Sequence, residues 1–198
     1  MICLYYALYP YDDKKTRQEN NLLMKQYRQK LLDTVFIKHT GKPFDEQNII
    51  KAKNGKPYLI DSSLFFNISH TNGLICCGIS DSEIGVDCEC IRDFNIKLLD
   101  KVCTHDEKQN ILGSNDIKTS FFTHWVLKES YCKFTGQGIS FNFRNIDFSL
   151  HDHNIQSARD DIYFDVKFID RFVISVCSAD KYLSAQHKYY SVTNCKYL

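Results

Sequence analysis

No stretch of this 198-residue chain stays apolar for the ~18 residues that a membrane-crossing helix needs, so no span is expected. Nor does either charge dominate: 25 Lys and Arg against 24 Asp and Glu leave a net charge of +1. That balance excludes the broad basic field of a non-specific nucleic-acid binder and the polybasic face of a membrane-surface protein, while leaving room for one local basic pocket. Low-complexity sequence is absent. The opening, Met1 to Tyr9, is apolar but short, lacks the basic flank of a leader, and runs into Pro10-Tyr11-Asp12-Asp13, so it reads as a strand. The paired Cys-x-x-Cys spacing of structural zinc is also missing, although the chain has nine cysteines: Cys76-Cys77, Cys88-x-Cys90 and Cys103-x-His105 do not supply it. Reduced thiols serving as small core residues of a cytoplasmic protein account for them most simply.

What is present is enough for a core. Hydrophobic residues make up 43% of the chain, and its length suits one large domain or two small ones. Ile2 to Tyr9 reads as a buried strand. Glu19 to Ile37 reads as a helix, with Leu22, Leu23, Tyr27, Leu31 and Val35 at three- and four-residue spacing. Gly41-Lys42-Pro43 and Asn54-Gly55-Lys56-Pro57 mark turns around a short strand at Asn48 to Lys53. Leu64 to His70, Leu74 to Ile79 and Ile84 to Cys90 then read as a hairpin or meander. Phe94 to Val102 and Asp106 to Leu112 are expected helices, the second opened by a Thr104–Glu107 capping box that makes Glu107 a cap partner. Ile117 to Phe134 carries the clearest helical pattern, with Phe121, Phe122, Trp125, Val126 and Tyr131 on one side. Phe141 to Leu150, Ile162 to Phe168 and Phe172 to Cys177 are strand candidates, and the polar chain from Ala179 onward is expected to be loosely ordered. Each half offers strands and one long helix, with the midpoint near Asp93.

The chemistry concentrates in Ile84-Gly85-Val86-Asp87-Cys88-Glu89-Cys90. On a strand, Asp87 and Glu89 point to one face while Val86, Cys88 and Cys90 point to the other. Two neighbouring carboxylates repel each other, a conflict that a divalent cation such as magnesium removes. On spacing alone, an exposed edge strand with two solvated acids is the plainer reading. On the long helix, Glu129 and Lys133 lie one turn apart. They are either a surface ion pair worth about 0.3–0.5 kcal/mol or a third carboxylate with an anion-facing lysine beside it. Ser69-His70 at a strand end and Gly55-Lys56-Pro57 in a turn say little singly.

Together, in order, Gly55-Lys56-Pro57, Phe66-Asn67-Ile68-Ser69-His70, Ile84-Gly85-Val86-Asp87-x-Glu89 and Trp125-x-x-Lys128-Glu129-Ser130-x-x-Lys133 resemble the surfactin-type family of 4′-phosphopantetheinyl transferases. The Gly136-Gln137-Gly138-Ile139-Ser140 stretch is similar too, and the likeness covers about the central half of the chain. The resemblance implies an α+β fold, a pseudodimer of two similar subdomains, each a small, mainly antiparallel sheet with a long helix. The division would fall at residues 1–92 and 93–198. It implies transfer of 4′-phosphopantetheine from coenzyme A to a serine of an acyl or peptidyl carrier protein, with adenosine 3′,5′-bisphosphate as the other product, by a monomer that needs neither nucleic acid nor membrane. By the same resemblance, Asp87, Glu89 and Glu129 would hold magnesium, and Glu129 or a water it holds would act as general base. Lys133 would bind the pyrophosphate. Lys56, Pro57, Ser69 and His70 would contact coenzyme A, with Lys14, Lys15, Arg17, Lys25 and Arg28 as candidates for its 3′-phosphate. A non-catalytic module that binds coenzyme A or a carrier protein is the alternative.

Overall fold

A computed structural model of the chain describes residues 2–138, 142–151, 154–157, 159–180 and 188–192. Two small sheets lie face to face, with a long helix on the outer side of each. The first sheet has the order β11-β1-β5-β4 (Lys188–Ser191, Ile2–Leu8, Leu74–Ser80, Phe65–Thr71). The second has the order β6-β10-β9 (Ile84–Cys90, Phe172–Ser178, Tyr163–Ile169). Within the two sheets every ladder is antiparallel except β1 with β11. Helix α1 (Arg17–Thr40) covers the first sheet and α4 (Ile117–Thr135) the second. This is the expected α+β architecture.

Strand alternation sorts the side chains into layers. Ile2 and Leu4 of β1 and Leu74 and Cys76 of β5 meet Ile84, Val86, Cys88 and Cys90 of β6 and Ile174 and Val176 of β10 between the sheets. The alternate residues Cys3, Tyr5, Ala7, Ile75, Cys77 and Ile79 turn toward Leu31, Leu32, Val35 and Phe36 of α1. On the far side of the second sheet, Val173 and Cys177 pack under Val126, Leu127 and Tyr131 of α4.

Five local expectations change. β6 does not continue a meander: its hydrogen-bonded partner is β10, so the change of sheet falls at Asp81–Glu83. Its alternate apolar residues pack flat against β1 and β5 instead of extending their ladder. The turn-flanked strand shortens to β2 (Ile49–Lys51), paired with β3 (Pro57–Leu59), and a 3-10 turn replaces most of the helix expected from Phe94 before α2 (Leu99–Val102). After Ala179 the chain returns as β11 alongside β1. In Phe141 to Leu150 a 3-10 turn at Phe143–Asn145 precedes β7 (Phe148–His151), which pairs with β8 (Asn154–Ser157); Ile139 to Phe141 lie outside the described residues. The Thr104–Glu107 capping box at α3 (His105–Leu112) forms, and Glu107 also takes the fully buried Lys128 ammonium at 2.8 Å.

Candidate active site

The acids sit on β6, and alternation aims them. Because Ile84, Val86, Cys88 and Cys90 enter the core between the sheets, Gly85, Asp87 and Glu89 face α4. The partner strand agrees: Ser175, opposite Asp87, has its Oγ 2.9 Å from Ser130 Oγ on α4. Gly85 lets the helix come this close, since a Cβ there would stand 2.0 Å from the Ser130 carbonyl oxygen and 2.4 Å from the Phe134 backbone nitrogen. At that approach Lys133 donates to Asp87 Oδ1 at 2.7 Å and to Ser69 Oγ at 2.8 Å.

β4 supplies the facing wall through its own two-residue period. Asn67 Oδ1 accepts the Val86 N–H at 2.9 Å, Ser69 Oγ donates to Asp87 Oδ1 at 2.7 Å, and Thr71 Oγ1 donates to Glu89 Oε2 at 3.1 Å. Glu89 Oε2 also receives Arg92 Nη1 at 2.8 Å. The second oxygen of Asp87, Oδ2, is buried with no hydrogen-bond partner among the described residues. A buried, unmatched carboxylate oxygen is costly and marks a place for a further donor or cation.

Glu129, one turn before Lys133, is half-buried. Burial first, and then the charges of Asp87 and Glu89, push its pKa above the ordinary carboxylate value, with Lys133 pulling the other way. All three acids therefore share one electrostatic neighbourhood. For Lys133, burial would lower the pKa, but the charge and hydrogen bond of Asp87 outweigh it and hold the ammonium above its ordinary value. Among the described residues no three His, Cys, Asp or Glu side chains are already gathered as a metal-binding group; the cation on Asp87 is the Lys133 ammonium.

Beside these groups lies a cavity of about 280 Å³ whose wall includes Lys56, Pro57, Asn67, Glu129, Cys132 and Lys133. Pro57 also borders a second hollow of about 370 Å³, which contains Arg28 and Lys51. The turn before β3 packs on the end of α4: Lys56 donates to the Phe134 carbonyl oxygen at 2.9 Å and to Glu83 Oε2 at 2.5 Å. His70 presents an exposed edge. Crowding by neighbouring atoms, and then the cations Lys133 and Arg28, hold its pKa below the usual histidine value, against a smaller opposite pull from Asp87 and Glu89.

Sequence reasoning had not singled out Asn67 and Thr71 as partners of β6, nor Arg92 and Glu83. The signal for the first two was in view: polar residues at 67, 69 and 71 keep the strand period on a face that apolar residues leave free. Arg92 and Glu83 flank β6 in loops, where no periodicity marks them.

Two face-to-face sheets with outer helices, and a cavity lined by Glu129, Lys56 and Lys133 beside the acids of β6, define an α+β protein built around an anion-sized site. The 4′-phosphopantetheinyl transferase superfamily model matches residues 83–183, from just before β6 to beyond β10. Over 98 residues the chain is 38% identical to the 4′-phosphopantetheinyl transferase gsp of Aneurinibacillus migulanus, covering 47% of this chain and 40% of that protein. Over 155 residues it is 26% identical to the 4′-phosphopantetheinyl transferase psf-1 of Bacillus pumilus, covering 74% and 66% respectively. A holo-[acyl-carrier-protein] synthase of Thermotoga maritima aligns over 48% of this chain and 61% of its own with a TM-score of 0.43 and 17% identity, too distant to bear on the site. The chain belongs to the 4′-phosphopantetheinyl transferase superfamily. Its matches span only 40% and 66% of the two relatives' lengths.

Proposed function

We propose that the chain transfers 4′-phosphopantetheine from coenzyme A to a serine hydroxyl of an acyl or peptidyl carrier protein, converting the apo to the holo carrier with magnesium. The observation that carries this reading is the buried Oδ2 of Asp87, without a hydrogen-bond partner among the described residues and electrostatically coupled to Glu129, which with Lys133 lines the neighbouring cavity. Magnesium suits this donor set: hard carboxylate oxygens, one of them unmatched, whose mutual repulsion a divalent cation relieves. Asp87, Glu89 and Glu129 would hold it, and when bound it would neutralise the charge of the pyrophosphate.

The protein's own groups do the rest. Lys133, with three N–H donors, moves from Asp87 to the pyrophosphate and stabilises the departing phosphate. Glu129, whose raised pKa gives its carboxylate more affinity for a proton, takes the proton of the carrier serine directly or through one water. Ser69 and His70 donate to phosphate oxygens, and Lys56 and Pro57 line the nucleotide side. Carriers of polyketide, non-ribosomal peptide or fatty acid synthases have the required serine. The eight described cysteines are all free and buried, which suits a reducing, cytoplasmic setting.

A binding module without turnover is the rival reading, favoured by the Lys133–Asp87 pair, which leaves Lys133 matched without ligand. Chromatography of reactions containing the chain, coenzyme A, magnesium and an apo carrier separates the two. Carrier-dependent release of adenosine 3′,5′-bisphosphate marks the transferase, whereas coenzyme A recovered intact marks the module.

Two predictions arise directly. A bound phosphate favours the charged form of His70, so coenzyme A affinity should rise as pH falls from about 8 to about 6. His70→Ala should flatten that slope in calorimetric titrations; equal slopes in both proteins would remove His70 from the phosphate site. Glu129 has a folded-state pKa above its unfolded value, so its ionisation costs stability as pH rises through the folded pKa. Glu129→Gln should therefore melt at a higher temperature than the native chain in metal-free buffer at neutral pH, with the difference shrinking in acid. Added magnesium should raise the melting temperature of the native chain more than that of the variant. A variant less stable at neutral pH would contradict the crowding of the three acids.

A further inference from the structure

The charge of Lys56 is already spoken for. Its side chain is 6% exposed, and its ammonium is shared between Glu83 Oε2 and the Phe134 carbonyl oxygen. Phe134 lies in the last turn of α4, so its carbonyl is one of those that the helix leaves unpaired and that a cation satisfies favourably. A second donor fixes Glu83: the Tyr58 hydroxyl, whose pKa is raised by burial and then by its hydrogen bond to Glu83 and the charge there. The loop holding Lys56 is wedged in place, because the Asn54 side chain sits where a Cβ on Gly136 would be, 2.2 Å away. Lys56 nonetheless lines the cavity beside Glu129 and Lys133, and an ammonium with two acceptors keeps one donor for a third. An anion approaching that donor meets the Glu83 carboxylate on the same nitrogen and bears a like-charge cost.

We propose that Glu83 is an internal counter-anion for Lys56, and so sets how strongly this wall of the cavity distinguishes a ligand bearing a phosphate monoester from one lacking it. The inference rests on the coenzyme A reading above. In the native chain Lys56 contributes little to recognition of the 3′-phosphate, whatever Arg28 and Lys51 contribute from the neighbouring hollow. Removing the Glu83 charge frees the ammonium for the ligand.

The test is calorimetric titration of the native chain and its variants with coenzyme A and with 3′-dephospho-coenzyme A, in magnesium. Glu83→Gln should bind coenzyme A about tenfold tighter or better while its affinity for the dephospho form stays within about twofold, the size of one recovered charge-assisted contact. Glu83→Asp, which keeps the carboxylate, should restore the native ratio. Lys56→Met should lose less than about threefold in coenzyme A affinity, and it decides the matter if Glu83→Gln fails to fold. An unchanged ratio in Glu83→Gln, a parallel shift for both ligands, or a loss above about tenfold in Lys56→Met overturns the proposal alone. A native chain that binds neither ligand overturns the coenzyme A reading with it.

Discussion

Asp87→Asn should leave the protein folded and lower transfer by about a thousandfold, the several kcal/mol that loss of the proposed metal ligand and its charge would take from a phosphoryl-transfer barrier. Asn retains the volume and one oxygen, so Ser69 keeps an acceptor and β6 keeps its packing. What disappears is the charge that holds Lys133 in place and the unmatched oxygen that invites a cation. Because the substitution also relieves Glu129 of one like charge, the Glu129 pKa should fall toward the ordinary carboxylate value. The measurements are initial rate and circular dichroism on the same preparation. Near-native turnover in magnesium buffer would remove Asp87 from the chemistry.

The second large effect is structural. Gly85→Ala should destabilise the chain by about 3 kcal/mol or more, at the upper end for overpacking, because the added methyl meets helix backbone and not a side chain that can swing away. Ser130 and Phe134 belong to the turn of α4 that carries Lys133, so relief of the clash requires the helix to lift from β6. A chain of this size should then melt roughly 6–12 °C lower. Any protein that remains folded should also lose transfer, since a lifted helix takes Lys133 away from Asp87. Thermal melts of the variant check the first part, and a melting temperature within about 1 °C of native would mean that β6 and α4 do not pack this closely.

The legible parts of this protein were those with local periodicity. The alternation of β6 put Asp87 and Glu89 on one face, and the burial of Val86, Cys88 and Cys90 between the sheets bears that out. The aromatic and aliphatic stripe of α4 likewise marked its buried side. Sequence could not supply the approach of the two elements. Taken alone, Glu129 and Lys133 read more readily as a surface ion pair; the close approach that Gly85 allows is what sets them against β6. The departure of β6 from β5 was hidden for a related reason: a three-residue turn between strands suits a hairpin, and only the ladder with β10, some eighty residues later, shows otherwise. β11 escaped because a short edge strand in a polar stretch carries little apolar pattern. Lys56 was read as a ligand contact from its motif, whereas its pairing with Glu83 depends on a loop contact 27 residues away.

The most direct measurement is the intact mass of an apo carrier protein after incubation with the chain and coenzyme A, once with magnesium and once with excess chelator. On the proposed reading, in which Asp87, Glu89 and Glu129 hold a cation that neutralises the pyrophosphate, the carrier should gain the phosphopantetheine arm with magnesium, gain none under chelation, and gain it again when magnesium is restored. A carrier that never changes mass, or one modified to the same extent in excess chelator, would contradict this account of the site.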